Sequence, residues 1–185
     1  MFDIHDIWNL VFDKNKSLLR VSVTAERTPS ATFTRPANTT TYASGDVMNN
    51  SVTVPVVLTF ADCGLVNGGG GLIKDVVIIS DANPTLAAVF ELWLFNTTIT
   101  PDNDNAVFTP TDAELLTLEC VITISVPYTG DATAGAGGNR VYQSDGADRQ
   151  FVCVAGGTSL FGVLVLRNAY IPISGEVITV YLKIV

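Results

Sequence analysis

Two long apolar runs, residues 72–79 and 86–95, constrain this chain more than any other feature. The turn signal Asp81-Ala82-Asn83-Pro84 separates them. Both are rich in β-branched and aromatic residues, both have strand length, and both stop at Asn, Asp or Pro. Only Lys74, Asp75 and Glu91 interrupt the hydrophobicity. The pair is therefore expected as strands covered on both faces over much of their length, a framework for the rest of the chain. A helix pair is the competing reading. Pro84 counts against it, as do the four β-branched residues Val76-Val77-Ile78-Ile79, which are stiff at χ1.

The 185 residues are most simply one domain, long enough to bury a real core. Charged residues make up 15%, below the usual quarter, and 48% are hydrophobic, so disorder is not expected for most of the chain. That leaves apolar surface for contact with other subunits. No run reaches the roughly 20 apolar residues of a membrane helix. The opening MFDIHDIWNL carries two aspartates and no basic cluster, unlike a secretory signal, and assembly in the cytoplasm is the expectation. The net charge of -8 is unevenly placed. Residues 1–35 carry four acids against five bases, residues 36–139 eleven acids against Lys74 alone, and residues 140–185 three acids against four bases. The acidic middle would repel a phosphate backbone, so nucleic acid is not an expected partner. It suits a solvated surface, or an acidic face that meets a basic partner.

Residues 7–24, IWNLVFDKNKSLLRVSVT, read as a short apolar segment, a polar turn at 13–16 and a strand over 18–24, a hairpin of its own. Residues 25–41 hold two prolines, many Thr and Ser, and few large apolar side chains, and read as an extended arm. An isolated two-stranded hairpin is marginal in water, so residues 1–35 are expected to dock on a partner or a neighbouring subunit. Trp8, Leu10, Val11 and Phe12 are the candidate anchors, because aromatic and large apolar side chains dominate hot spots. A local hydrophobic cluster under the first strand is the alternative. The expected division is an N-terminal hairpin and extended arm over 1–41 and a body over 42–185.

Within the body, SVTVPVVLTF at 51–60 alternates, with Val52, Val54, Val56, Leu58 and Phe60 on one face. Pro55 lacks a donor and argues for an edge. One short helix is expected at about 110–117, where TPTDAELL supplies an N-cap, a first-turn proline and acids near the positive helix end. Residues 128–149 are low in apolar content and read as a long surface excursion holding a short strand at 140–143. Further strands are expected at 120–126, 150–155, 159–167 and 176–185. The last places Ile178, Val180, Leu182 and Ile184 inward. Regularly spaced strands, Gly/Pro turns and one helix make an all-β fold, a β-sandwich or jelly-roll-like body with one short helix and an N-terminal hairpin.

The residues offer little for catalysis. His5 is the single histidine and lies outside the body, which leaves Ser-His-Asp and Cys-His arrangements unsupported. Cys63, Cys120 and Cys153 are odd in number, widely spaced and without a CxxC pair, so neither zinc nor a disulfide scaffold is expected. The loop Asn67-Gly68-Gly69-Gly70-Gly71 lacks the Gly-Lys-Ser/Thr ending of a phosphate cradle. Asp102 and Asp104 alternate as calcium ligands do, but the loop glycine and closing Glu are missing, which favours a polar turn. Glu91, inside the most apolar strand, would have a raised pKa if buried unpaired; a salt bridge or an outward position is the plainer reading. No enzyme, metal or cofactor is expected.

Val11-Phe12-Asp13 followed by Leu19-Arg20-Val21 resembles the opening of many tailed-bacteriophage virion proteins. Further along come YASGD at 42–46, GLIKDVV at 71–77, ELWLF at 91–95, DNAVFTPTDAEL at 104–115, Gly138-Asn139 and LFGVLV at 160–165. Their order resembles phage structural proteins of the head-decoration, or cement, type. Such proteins carry no catalytic motif, so the resemblance implies no active-site residue. It implies a place on the capsid exterior of a virion and the major capsid protein as partner. It also implies a homo-oligomer, with a trimer at a local threefold favoured by closed symmetry. Two alternatives stay open. One is a tail, baseplate or fibre component; the other is a carbohydrate-binding sandwich that stacks sugars on Trp93, Tyr128 or Tyr142.

Overall fold

The computed structural model describes residues 26–129 and 138–185, together with Phe12–Asp13 and Leu18–Leu19. In chain order the elements are β1 (Phe12–Asp13), β2 (Leu18–Leu19), β3 (Ser30–Thr34), β4 (Val47–Met48), β5 (Leu58–Phe60), β6 (Gly70–Ser80), β7 (Phe90–Phe95), α1 (Asp112–Leu115), β8 (Leu118–Thr129), β9 (Arg140–Ser144), β10 (Arg149–Val152), β11 (Leu160–Leu166) and β12 (Val177–Ile184). Ten strands form one antiparallel sheet in the order β3-β12-β6-β9-β8-β7-β11-β4, with β10 added on β6 and β5 on β11. The sheet curls so that its halves face each other as sandwich layers do. Ile73, Ile78 and Val180 from one half share a cluster with Leu92, Leu164 and Leu166 from the other. The fold is all-β with one short helix.

Period-2 alternation accounts for most of this. Ile178, Val180, Leu182 and Ile184 of β12 are all buried, each stabilising the fold by about 1.5–3 kcal/mol relative to exposure. The two apolar runs are not neighbours: β6 lies between β12 and β9, and β7 between β8 and β11. Cover on both faces holds best for β7. Its Phe90, Leu92 and Leu94 point to the main core, while Phe95 and part of Trp93 join a second cluster on the outer face with Val47, Ile99, Val163 and Val165. On β6 the outward Val77 and Ile79 are half-buried. Strand β7 starts at Phe90 rather than near residue 86. The backbone before it is held by side chains, with Ala88 N–H donating to the Tyr142 hydroxyl and Val89 N–H to Asn168.

Three expectations are corrected. Residues 25–41 do not run throughout as a tether. Strand β3 pairs with β12 from Ser30↔Tyr181 to Thr34↔Val177, its Phe33 enters the core, and Arg27 bridges to Ile184. One inward aromatic and a free edge on β12 are enough to capture this polar stretch, so residues 26–35 belong to the body and not to a docking arm. The hairpin expected within 7–24 is present as β1–β2, with Phe12 opposite Leu19 and Asp13 opposite Leu18, in a sheet separate from the ten-stranded one.

The alternation at 51–60 also does not make one strand. Strands β4 and β5 both pair with β11, with Met48 opposite Leu164 and Leu58 opposite Gly162. They are one edge strand, and residues 49–57 loop out of it opposite Val163. Leu58 and Phe60 are buried as expected, but Val52, Val54 and Val56 are exposed. Side chains have captured the backbone that a ladder would use. Asn49 and Asn50 accept from Val56 N–H, Asn49 from Asn50 N–H, and Ser51 from Thr53 and Val54 N–H. Third, the short strand expected at 140–143 is present as β9, but it lies inside the sheet between β6 and β8 and not on a surface excursion, and its Tyr142 is fully buried.

Two local motifs behave as their residues require. Thr111 caps α1, and Glu114 completes a capping box, although the helix is only four residues long. The glycines at 68–71 permit close backbone approach: a Cβ on Gly70 would strike the carbonyl oxygen of Phe151 on the paired β10.

Candidate functional site

Of the four candidate anchors, Phe12 lies on β1, while Trp8, Leu10 and Val11 are outside the described residues, as is His5. The chain behind this segment runs into a buried polar clamp. Arg35 follows β3, and its side chain is fully buried, facing Asp104 with Nη2 to Oδ2 at 3.4 Å. Tyr42 stands between them: its hydroxyl accepts from Arg35 Nε at 2.5 Å and donates to Asp104 Oδ1 at 2.5 Å. Asp104 also accepts from Asn49 N–H at 2.9 Å, and the guanidinium lies 4.8 Å from the Tyr42 ring centroid. Burial pushes the Tyr42 phenol well above its ordinary range.

A second buried carboxylate sits nearby. Glu176 accepts from Ser80 Oγ at 2.6 Å and from the Tyr170 hydroxyl at 2.8 and 3.0 Å. Burial raises its pKa, and these hydrogen bonds and the charge of Arg35 only partly oppose that rise. The two groups are linked, because Arg35 N–H donates to the Glu176 carbonyl and the Tyr42 and Tyr170 rings lie 6.2 Å apart. Both carboxylates face protein donors away from solvent. This is an arrangement for holding β3 and the loop at 102–105 against β12, not one that opens onto a substrate.

The residues singled out in the sequence are scattered. Glu91 pairs with Arg167 Nη2 at 2.5 Å and accepts from Trp93 Nε1 at 3.2 Å, which is the salt-bridge reading. Trp93 packs edge-on against Phe108, with ring centroids 5.2 Å apart. It lies opposite Val121 on β8, whereas the exposed Tyr128 is about 23 Å further along that strand. Since Tyr142 is buried, the three aromatics make no common stacking platform. Asp102 accepts from Thr109 N–H and Oγ1, as a polar turn would have it. All three cysteines are free; Cys63 and Cys153 are buried. Burial pushes Cys63 up to about 12 and Cys120 up to about 11. Among the described residues no group of three His, Cys, Asp or Glu is placed to hold a metal ion, and no helix is long and apolar enough to cross a membrane.

No family model matches the chain, and no curated protein matches it.

Proposed function

We propose that this chain is a structural component of a bacteriophage particle, a decoration or cement protein that binds the shell of major capsid protein and stabilises it. The observation that carries this reading is the pairing of β1 with β2 in a sheet separate from the body. Two short strands bury too little to persist in water, and a partner surface supplies the missing cover. Behind that hairpin the chain is fastened, not loose: the β3–β12 ladder and the buried Arg35 tie it to the main sheet. Tension on the leading segment would therefore reach the body directly, as a cement role requires. The resemblance of residues 11–13, 19–21 and the later motifs supports the same reading. The role is non-catalytic, on the capsid exterior, and a trimer would set three leading segments around one local threefold.

Co-sedimentation with shells assembled from the phage's major capsid protein tests it. The full chain should pellet with shells, and the full chain carrying Val11→Asp and Phe12→Asp should stay in the supernatant. Failure of the unsubstituted, folded chain to pellet overturns the proposal.

A further inference from the structure

We infer that the outer face built by residues 49–57 and 99–117 is a second docking surface, shaped for an apolar protein surface with a basic rim; it rests on the reading above in taking that surface to be the capsid shell.

Both segments lie over the same outer cluster. Val57, Phe108 and Ile99 pack there against Phe95, Val163 and Val165. Their tips turn apolar side chains the other way, to solvent. Val54 is 71% exposed, Val107 63% and Leu116 88%, with Val52 and Val56 about half exposed. Single exposed aliphatics need no explanation, but these five fall on two segments braced over one cluster.

The segments are also braced against each other. Asp104 N–H donates to the Ser51 carbonyl at 2.8 Å, and Asn49 Nδ2 to the Asp102 carbonyl at 3.3 Å. Thr100 N–H donates to Glu114, whose carboxylate also closes the capping box at Thr111. In the 49–57 loop the N–H groups of Asn50, Thr53, Val54 and Val56 are taken by side-chain oxygens. The loop is thus not awaiting a strand partner. Its valines are held ready for side-chain packing, which lowers the ordering cost of binding.

Charge selects the occupant. Residues 49–57 and 99–117 contain no Lys or Arg, but they contain Asp102, Asp104, Asp112 and Glu114. Arg35 neutralises Asp104 from within. Asp112 is exposed, and hydrogen bonds from the Thr111 and Thr100 backbone hold the Glu114 carboxyl below its usual range, so it stays charged. A partner with cations around an apolar centre complements this face, whereas a second copy presenting the same face would oppose like charges.

The test uses the full chain and the same assembled shells. Val54→Ser with Leu116→Ser should weaken shell binding about tenfold or more while leaving the melting temperature unchanged. Asp112→Lys should also weaken it, and added salt should weaken binding of the unsubstituted chain. Shell binding by the serine pair equal to that of the unsubstituted chain overturns this inference and leaves the leading-segment role standing. A free chain that self-associates, and stops doing so in the serine pair, assigns the face to a second copy and also overturns it. An unsubstituted chain that ignores shells overturns both readings.

Discussion

Asp104→Ala is the substitution that most directly probes how the body is held together. In the folded chain Asp104 is the shared acceptor for Arg35 Nη2, the Tyr42 hydroxyl and Asn49 N–H. Removing it strands a guanidinium whose side chain is 0% exposed and whose remaining partners are Tyr42 and, at 3.4 Å, the Ile173 carbonyl. Leaving one member of a buried ion pair uncompensated costs about 3–5 kcal/mol. The orphaned hydroxyl and amide would each add about 1–3 kcal/mol if water did not reach them. Losses that share one acceptor are not additive, so about 4 kcal/mol is the working figure. That is a large part of the roughly 5–15 kcal/mol by which a domain is stable. Urea unfolding followed by far-ultraviolet circular dichroism should show a midpoint about 2 M lower at unchanged slope. Arg35→Met combined with Asp104→Leu strands no charge and should be less destabilised than Asp104→Ala alone. An Asp104→Ala protein within about 1 kcal/mol of the parent would refute the argument that this pair fastens β3 to the body.

Three further outcomes follow from the same interior. Glu176 has a raised carboxyl in the fold, so the folded chain binds more protons there than the unfolded one; stability should fall as pH rises from the unfolded value of 4.5 through the raised one, and Glu176→Gln should flatten that fall in pH-dependent melts. Gly162→Ala would push a Cβ to 2.9 Å from Phe60 and 3.2 Å from Leu92, and calorimetry should show a loss of about 1–3 kcal/mol from overpacking. With its thiol pushed up to about 12 and its side chain buried, Cys63 should resist alkylation at pH 8 in the folded chain and react on denaturation, as mass spectrometry of labelled peptides would report.

How much of this the sequence shows depends on whether a residue's fate is decided locally. The last strand is legible because four alternating aliphatics leave one consistent face. The cap at Thr111 is legible because its partner, Glu114, is three residues away. Arg35 is not, because Tyr42 and Asp104 complete its site, and Asp104 is distant in the chain. A lone arginine among Thr, Pro and Ala looks like part of a solvated tether. Glu176 is hidden for the same reason: Tyr170 is near it in the chain, but its other partner, Ser80, is distant. Glu91 stands in an apolar strand, yet it lies on the outer side, where Arg167 is at hand.

The valines at 52, 54 and 56 mark a different limit, and one that bears on function. Alternation tells which side chains share a face of an extended segment; it does not tell whether the segment is in a ladder at all. Here Asn49, Asn50 and Ser51 stand before the alternating run, and their side chains take the amides that pairing would need. Pro55 has none to give. The edge strand resumes at Leu58, where the free acceptors end and pairing with Gly162 begins. A run of apolar residues that its own flanking side chains keep out of the sheet is not a failed core strand. The docking surface inferred above would give that run its cover, and on that inference substitutions at Val54 should change association without changing the melt.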